Sequence, residues 1–268
     1  VISNAFQFLN TPLALLPEWV SIIEQAMKGD PLALFEESRT PPCREKPYDA
    51  IAGVAVICIK GALLHGNGWC WEGATYYGEV RRALAEAIGD PDIRAIVLHV
   101  DSAGGVVNGC FDLTDDIYAM RGEKPMWAIC DEMAASAAYA IASAADRVIV
   151  PRTGVVGSIG VICLHTDITE MLDQQGVKIT TIQYGARKSD GYPTTKLTTP
   201  ALKRMQNDID VLGELFVDTV ARNRGLKAKS VRDTEAGTFL GKSGVSVGLA
   251  DSVMSPDKAF LELVKSIS

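Results

Sequence analysis

A single serine sits where a nucleophile would be placed. Ser136 lies in DEMAASAAYAIASAAD, residues 131–146, at the start of a small-residue helix and shortly after a run, residues 127–131, that reads as a buried strand. A strand-to-helix turn presents its side chain and aims the first free N–H groups of the helix at the same spot. A nucleophile and its oxyanion hole need that geometry. The same pattern suits a close-packed core helix in which Ser136 only caps the first turn, and the stretch by itself leaves both readings open.

A serine nucleophile needs a base. His65, His99 and His165 lie far apart, each near a strand end, and none has the neighbouring acid that orients a catalytic imidazole. Lysine does the same work when desolvation or a nearby cation lowers its pKa. The candidate is Lys188, in the loop YGARKSDGYP, with Arg187 beside it and apolar walls expected from Val155, Val156 and Ile159. Lysines in loops are usually plain surface residues, so this placement alone does not decide.

Two further glycine-bearing segments follow apolar strands. DSAGG, residues 101–105, ends AIVLHV, and its paired glycines suit either a structural turn or a close backbone approach to a ligand. TGVVGSIG, residues 153–160, holds Ser158 among glycines but matches no phosphate-binding fingerprint. GTFLGKS, residues 237–243, falls one residue short of a Walker loop and is read as lacking the strand before and the helix after.

The elements that must carry these residues alternate. Residues 51–61, IAGVAVICIKG, read as one strand and residues 74–88 as a helix; residues 95–100 are a strand and 109–120 a helix. The strand and helix around Ser136 follow, then RVIV, a helix at DITEMLDQQG, and a strand KITTIQYG that ends at the Lys188 loop. Alternation of this kind implies parallel strands with crossover helices. The last third reads as a long helix from residue 199 to a stop at Gly225, a shorter helix, an extended piece at 237–240 and a terminal helix from Pro256. Residues 1–49 read as a helical segment, with Trp19, Ile22, Ile23 and Met27 at helical spacing, followed by a Pro-rich linker; residues 50–268 read as the folded domain.

Composition narrows the function classes. The 268 residues carry a net charge of −7 without a basic cluster, which argues against nucleic acid or an anionic membrane as the main partner. Apolar residues make up 47% of the chain, enough for a substantial core, yet no apolar run approaches the roughly 20 residues of a membrane span. No secretory signal is visible, and the sequence does not start with Met. Cys43, Cys58, Cys70, Cys110, Cys130 and Cys163 are scattered without metal-site spacing and read as buried thiols of a reducing compartment.

AASAAYAIASAADRVIV, GVVGSIGV, QQGVKITTIQYGARKSDGYP and AGTFLGKSGVSVGLADSV, taken in order, resemble the signal-peptide-peptidase-A family of Ser–Lys peptidases. Within that family they are most similar to its tailed-phage branch, the capsid-assembly (head-maturation) proteases. The resemblance runs from about residue 50 to 253. It implies Ser136 as nucleophile, Lys188 as general base and Ser158 as the serine that orients the lysine. It implies an oxyanion hole from Gly104, Gly105 and the N–H of Ala137. It further implies an α/β fold, a crotonase- and Clp-protease-like spiral of ββα units with a helical C-terminal region, and a ring-like homo-oligomer.

Two departures stand out. Ala137-Ala138 replaces the glycine usual after the serine, and Ala103 replaces a proline, which is expected to loosen the DSAGG turn. The implied chemistry needs no cofactor and no metal. The implied substrate is a capsid or scaffold protein, cut in the bacterial host cytoplasm or inside the procapsid. The alternatives are a signal-peptide-degrading peptidase, an acyl-CoA hydratase or isomerase relative using Asp101 or Glu132, and an inactive assembly scaffold.

Overall fold

The computed structural model describes residues 12–15, 46–67 and 74–268. The helical pattern around Trp19, together with Cys43 and Cys70, lies outside the described residues. Where one strand is expected, Asp49–Ile51 (β2) and Val54–Leu64 (β3) form an antiparallel hairpin. Ala52 at φ +52° and Gly53 at φ +78° supply its turn, the positive φ at both central positions being what a two-residue type I′ hairpin turn needs. An alanine there gives no signal in the sequence.

β3 lies parallel to Ala95–Val106 (β5), β5 to Met126–Ala135 (β6), β6 to Arg147–Val150 (β7), and β7 to Ser252–Val253 (β10). The main sheet therefore runs β10-β7-β6-β5-β3-β2. Its helices cross over as the alternation requires: Tyr77–Gly89 (α1), Cys110–Ala119 (α2) and Ala137–Ser143 (α3) follow β3, β5 and β6 in turn. One core joins these helices to the sheet. A smaller cluster of Val54, Ala95, Val97, Trp127, Ile129 and Ile149 packs against Ala259 and Leu263 of the terminal helix Pro256–Ser266 (α8).

β3, β5 and β6 continue past this sheet. The pairing slips register between Lys60 and Ala62 and between Val100 and Ser102, and such irregularities bend a strand and re-aim its side chains. Beyond the slips the second halves take new partners. Ala62–Leu64 pairs with Ala74–Tyr76 (β4), residues 104–106 with Leu13–Leu15 (β1), and residues 133–135 with Val155–Gly157 (β8), itself paired with Thr238–Leu240 (β9). Strand, strand continuation and helix recur as the α/β spiral of ββα units that the motifs imply. DSAGG is thus no turn but the end of β5, and the strand before Ser136 extends four residues beyond the run 127–131.

The C-terminal region is helical, as expected. Thr199–Arg224 (α5) starts at Thr198, whose hydroxyl accepts the Ala201 N–H, and stops at Gly225 in the left-handed region at φ +64°. Ala228–Arg232 (α6) and Gly241–Ser246 (α7) follow. A helix therefore does begin inside GTFLGKS, but a turn and not a strand precedes Gly237, so the missing strand and the glycine spacing together exclude a Walker loop. Residues 74–76 are strand rather than helix, because they pair with the second half of β3.

KITTIQYG is not a strand. After the short helix Thr169–Gln174 (α4), residues 177–188 form no ladder and lie exposed. Backbone groups stay in a strand only where an edge receives them, and none among the described residues does. The cysteines divide as well. Cys110 and Cys130 are buried, which pushes both thiols up to about 12, whereas Cys58 is exposed and Cys163 half-buried.

Candidate active site

Ser136 joins β6 to α3 at φ +56°, ψ −124°, fully buried, its hydroxyl without a hydrogen-bond partner. A capping serine has extended φ and accepts an N–H from the helix it caps; Ser136 does neither. A non-glycine residue in such a conformation costs on the order of 1–3 kcal/mol and survives only where its surroundings dictate it. Here its N–H donates to the Gly157 carbonyl at 2.8 Å, while its carbonyl accepts the Ala140 N–H at 2.9 Å. The strained bend is therefore held from both sides.

The helix behind it is clamped by residues that no sequence pattern marks. Arg121 donates to the carbonyls of Ser143, Ala144 and Ala145 at the end of α3 and to that of Asn223 on α5. The Tyr139 hydroxyl donates to the Leu249 carbonyl at 2.8 Å, and the Asn223 amide donates to the Ser143 hydroxyl at 3.0 Å. All seven residues of α3 are buried. The small side chains of AAYAIAS let this helix sit close to its neighbours.

Around Ser136 the structure gathers most of the expected site. Gly104 has φ +107°, and a Cβ there would meet the Ala14 carbonyl oxygen at 2.1 Å and the Ser136 Cβ at 3.0 Å. A Cβ on Gly105 would meet the Leu63 carbonyl oxygen at 1.9 Å. The first glycine leaves space over the serine; the second lets β5 pass β3. Ser102 ties this strand end down, its hydroxyl donating to the Gly61 carbonyl at 2.6 Å and accepting the Gly104 N–H at 3.1 Å. The loosening expected from Ala103 is therefore absent. Ser102 stands in the DSAGG motif, yet nothing in the pattern shows its role.

Ala137 opens α3, where helix geometry leaves first-turn N–H groups without intrahelical acceptors. The positive φ falls on Ser136 itself, not on Ala137 or Ala138, so the missing glycine exacts no backbone strain. Ser158 follows Gly157, the register partner of Ala135, and so flanks Ser136 across the β6–β8 pair. It too has positive φ, +54°, is buried, and donates its N–H to the Gly237 carbonyl at 2.9 Å. Val156 and Ile159 beside it are buried, and Val155 is half-buried.

Lys188 is not brought to this group. It lies exposed in the turns of residues 185–191, its N–H bonded to the Gly185 carbonyl at 3.1 Å. The Ser136 hydroxyl has no partner, so no lysine–serine hydrogen bond exists within this chain. Arg187 is exposed as well, which removes the inward repulsion expected of it. Among the described residues no other base is hydrogen-bonded to the Ser136 hydroxyl. His99 Nε2 stands 3.5 Å from Asp131 Oδ2, and burial, then the charge of Lys60, pushes the imidazole down. Asp131 precedes Ser136 by five strand residues, about 16 Å if the strand were straight.

Of the carboxylates weighed for hydratase chemistry, Asp101 is half-buried, and Glu132 is exposed and accepts the Thr153 hydroxyl at 3.0 Å. Among the described residues no His, Cys, Asp and Glu cluster could hold a metal ion, and no helix is long and apolar enough to cross a membrane.

A family model described as Peptidase family S49 matches residues 119–267. The chain is 37% identical over 223 residues to the head-tail preconnector protein GP5 of Enterobacteria phage P21, covering 82% of this chain and 44% of that protein. It is 33% identical over 250 residues to the capsid assembly protease C of Escherichia phage lambda, covering 90% of this chain and 57% of that one. The chain thus spans about half the length of these curated relatives. Among solved structures, an enoyl-CoA hydratase from Shewanella pealeana aligns at TM-score 0.49 and 11% identity, over 82% of this chain and 72% of that one.

Proposed function

The chain belongs to peptidase family S49, and on that premise we propose that it is a serine endopeptidase of phage head maturation, with Ser136 as nucleophile and Lys188 as general base. The substrate in this reading is a capsid or scaffold protein, cut in the host cytoplasm or within the procapsid. Residues 50–268 form the peptidase domain. The observation that carries the reading is Ser136 itself: a buried, unpartnered hydroxyl on a strained strand-to-helix bend, with Gly104 against it. Structural serines are satisfied and relaxed; nucleophiles are held for attack.

In the reaction, uncharged Lys188 Nζ takes the proton from Ser136 Oγ as that oxygen bonds to the carbonyl carbon of the substrate. The N–H of Ala137 and the Gly104-Gly105 strand end receive the developing oxyanion, each donor worth about 2.7–4 kcal/mol of barrier. The C–N bond then breaks, and the lysine returns its proton to the departing amine. Water then gives a proton to the same lysine as it attacks the acyl ester, and when the ester C–O bond breaks the lysine passes that proton to Ser136 Oγ, restoring both groups. Ser158 holds the amine in line.

A lysine surrounded by water stays charged, so this base works only once it is carried into the apolar surroundings of Val156 and Ile159. The exposed stretch that bears it leaves Ile179 half-exposed and Ile182 and Tyr184 almost wholly exposed, and each Ser136 lacks a base. Both deficits are met when copies associate and the stretch from one supplies Lys188 to the next. The catalytic unit is then a ring-like homo-oligomer. The test is incubation with a capsid protein, mapping the cut ends by mass spectrometry, beside fluorophosphonate labelling. Label on Ser136, with cleavage lost in both Ser136→Ala and Lys188→Ala, is expected. Full cleavage by folded Lys188→Ala refutes the dyad, and label elsewhere refutes the nucleophile.

A further inference from the structure

The groove over Ser136 is occupied by this chain itself. β1 pairs antiparallel with the end of β5 in the register Leu13 to Val106, Ala14 to Gly105 and Leu15 to Gly104. On the β5 side the Val107 N–H also donates to the Pro12 carbonyl at 3.2 Å; along its other edge, the Leu13 N–H donates to the Ile162 carbonyl at 2.7 Å and the Ile162 N–H to the Leu13 carbonyl at 2.8 Å. A strand bonded on both edges is how a groove between two strands holds an extended peptide. The Ala14 carbonyl oxygen lies within 2.1 Å, and the Ser136 Cβ within 3.0 Å, of the point where a Gly104 Cβ would stand. The Ala14 carbonyl and the Ser136 side chain thus flank the same point beside Gly104.

Ser136, Leu13 and Ala14 are all fully buried. A nucleophile sealed in this way admits no outside carbonyl until the segment above it leaves.

We infer that Pro12–Leu15 is a substrate-like strand held in the enzyme's own acceptor groove. An outside peptide enters only by displacing it and binds in its register, with a small residue at the Ala14 position and a leucine-sized one at the Leu13 position. The size rule follows from burial. Leu13 is among the largest fully enclosed side chains, and enlarging a fully enclosed alanine forces its neighbours apart. This rests on the proposed active site, because the groove counts as an acceptor only if Ser136 attacks what lies in it.

The experiment uses the full chain carrying Ser136→Ala, so that nothing is consumed, and a peptide copying residues 11–16. Amide hydrogen exchange is expected to show Leu13 protected without peptide and at least 10-fold less protected at saturating peptide, with Ile162 protected throughout. The fluorescent peptide is expected to bind at least 10-fold more tightly after Leu13→Glu and Ala14→Glu are added, and at least 10-fold more weakly when it carries Trp at the Ala14 position. An unprotected Leu13 amide at the outset, or equal affinity with and without the two Glu substitutions, overturns the occupancy. Equal affinity for the Trp peptide overturns the size rule. The exchange measurement needs no strand variant, and the readouts are independent of turnover, so loss of the protease reading would show separately in the cleavage assay.

Discussion

If the base arrives from a neighbouring copy, activity must depend on concentration, and Ile182 and Tyr184 let the size of that dependence be worked out. Both are essentially fully exposed, at 95% and 101%. Burying a large apolar side chain contributes about 1.5–3 kcal/mol, but association also costs ordering of the segment that carries it, so the lower figure is the safer one. Ile182→Ser with Tyr184→Ser then removes about 3 kcal/mol per contact, and at 1.4 kcal/mol per decade the dissociation constant rises about 100-fold. The assay is initial rate per subunit against protein concentration, with size-exclusion chromatography alongside. The wild-type curve is expected to rise steeply and level off as the oligomer fills, and the double variant to reach the same plateau about 100-fold further along. Neither substitution touches the reacting atoms, so the plateau should not move. Constant activity per subunit at every concentration, with the double variant indistinguishable, would refute delivery of Lys188 in trans.

The other expectations concern the strained bend and its supports. Ser136→Gly removes a positive-φ penalty of about 1–3 kcal/mol while adding about 0.4–1 kcal/mol of unfolded-chain entropy. It should raise the melting temperature by about 2–4 °C, at 2–4 °C per kcal/mol, while abolishing cleavage; a lower melting temperature means the bend is not strained. Gly105→Ala drives a methyl group into the Leu63 backbone, and overpacking of about 3 kcal/mol should lower the melting temperature by about 6–12 °C; an unchanged value removes the claim that only glycine fits there. Asp251 accepts two bonds from Arg224, at 2.8 and 2.9 Å, and one from the Val148 N–H. Burial pushes its carboxyl up, but these bonds outweigh that and hold it below the usual range. Its folded pKa being lower than its unfolded one, the stabilisation is whole above about pH 4 and fades as pH falls through the folded value. Asp251→Asn should therefore cost about 2 kcal/mol at pH 7, discounted because Asp251 is one-third exposed, and should flatten the acid limb of denaturation curves; an acid limb parallel to wild type argues against this residue.

What the sequence discloses and what it hides divide along a physical line. α5 is legible at both ends, because Thr198 and Gly225 are local devices read from a few neighbouring residues. The apolar parallel strands are legible for the same reason. The hairpin at Ala52-Gly53, the bends of β3, β5 and β6, and the failure of KITTIQYG to pair are not, because each is decided by which edge a segment meets. The site forms where long strands leave one set of partners for another. The residues there, Gly61, Gly104, Gly105, Ala134 and Ala135, are small because backbones and a peptide must pass close together. Small residues carry little hydrophobic periodicity, so this region appears in the sequence only as runs of Ala and Gly around one serine. The strain at Ser136 and the strand beside it are set by contacts distant in the chain, through the approach of Ala14 to Gly104, 90 positions apart, and the Gly157 carbonyl, 21 positions after Ser136. Chain order brings Ser136 and Ser158 together through the β6–β8 pair, but nothing in the fold of a single copy calls Lys188 inward. If Lys188 is the base as proposed, its place on an unpaired, exposed stretch would couple catalysis to assembly, since chemistry would then begin only where copies have already met.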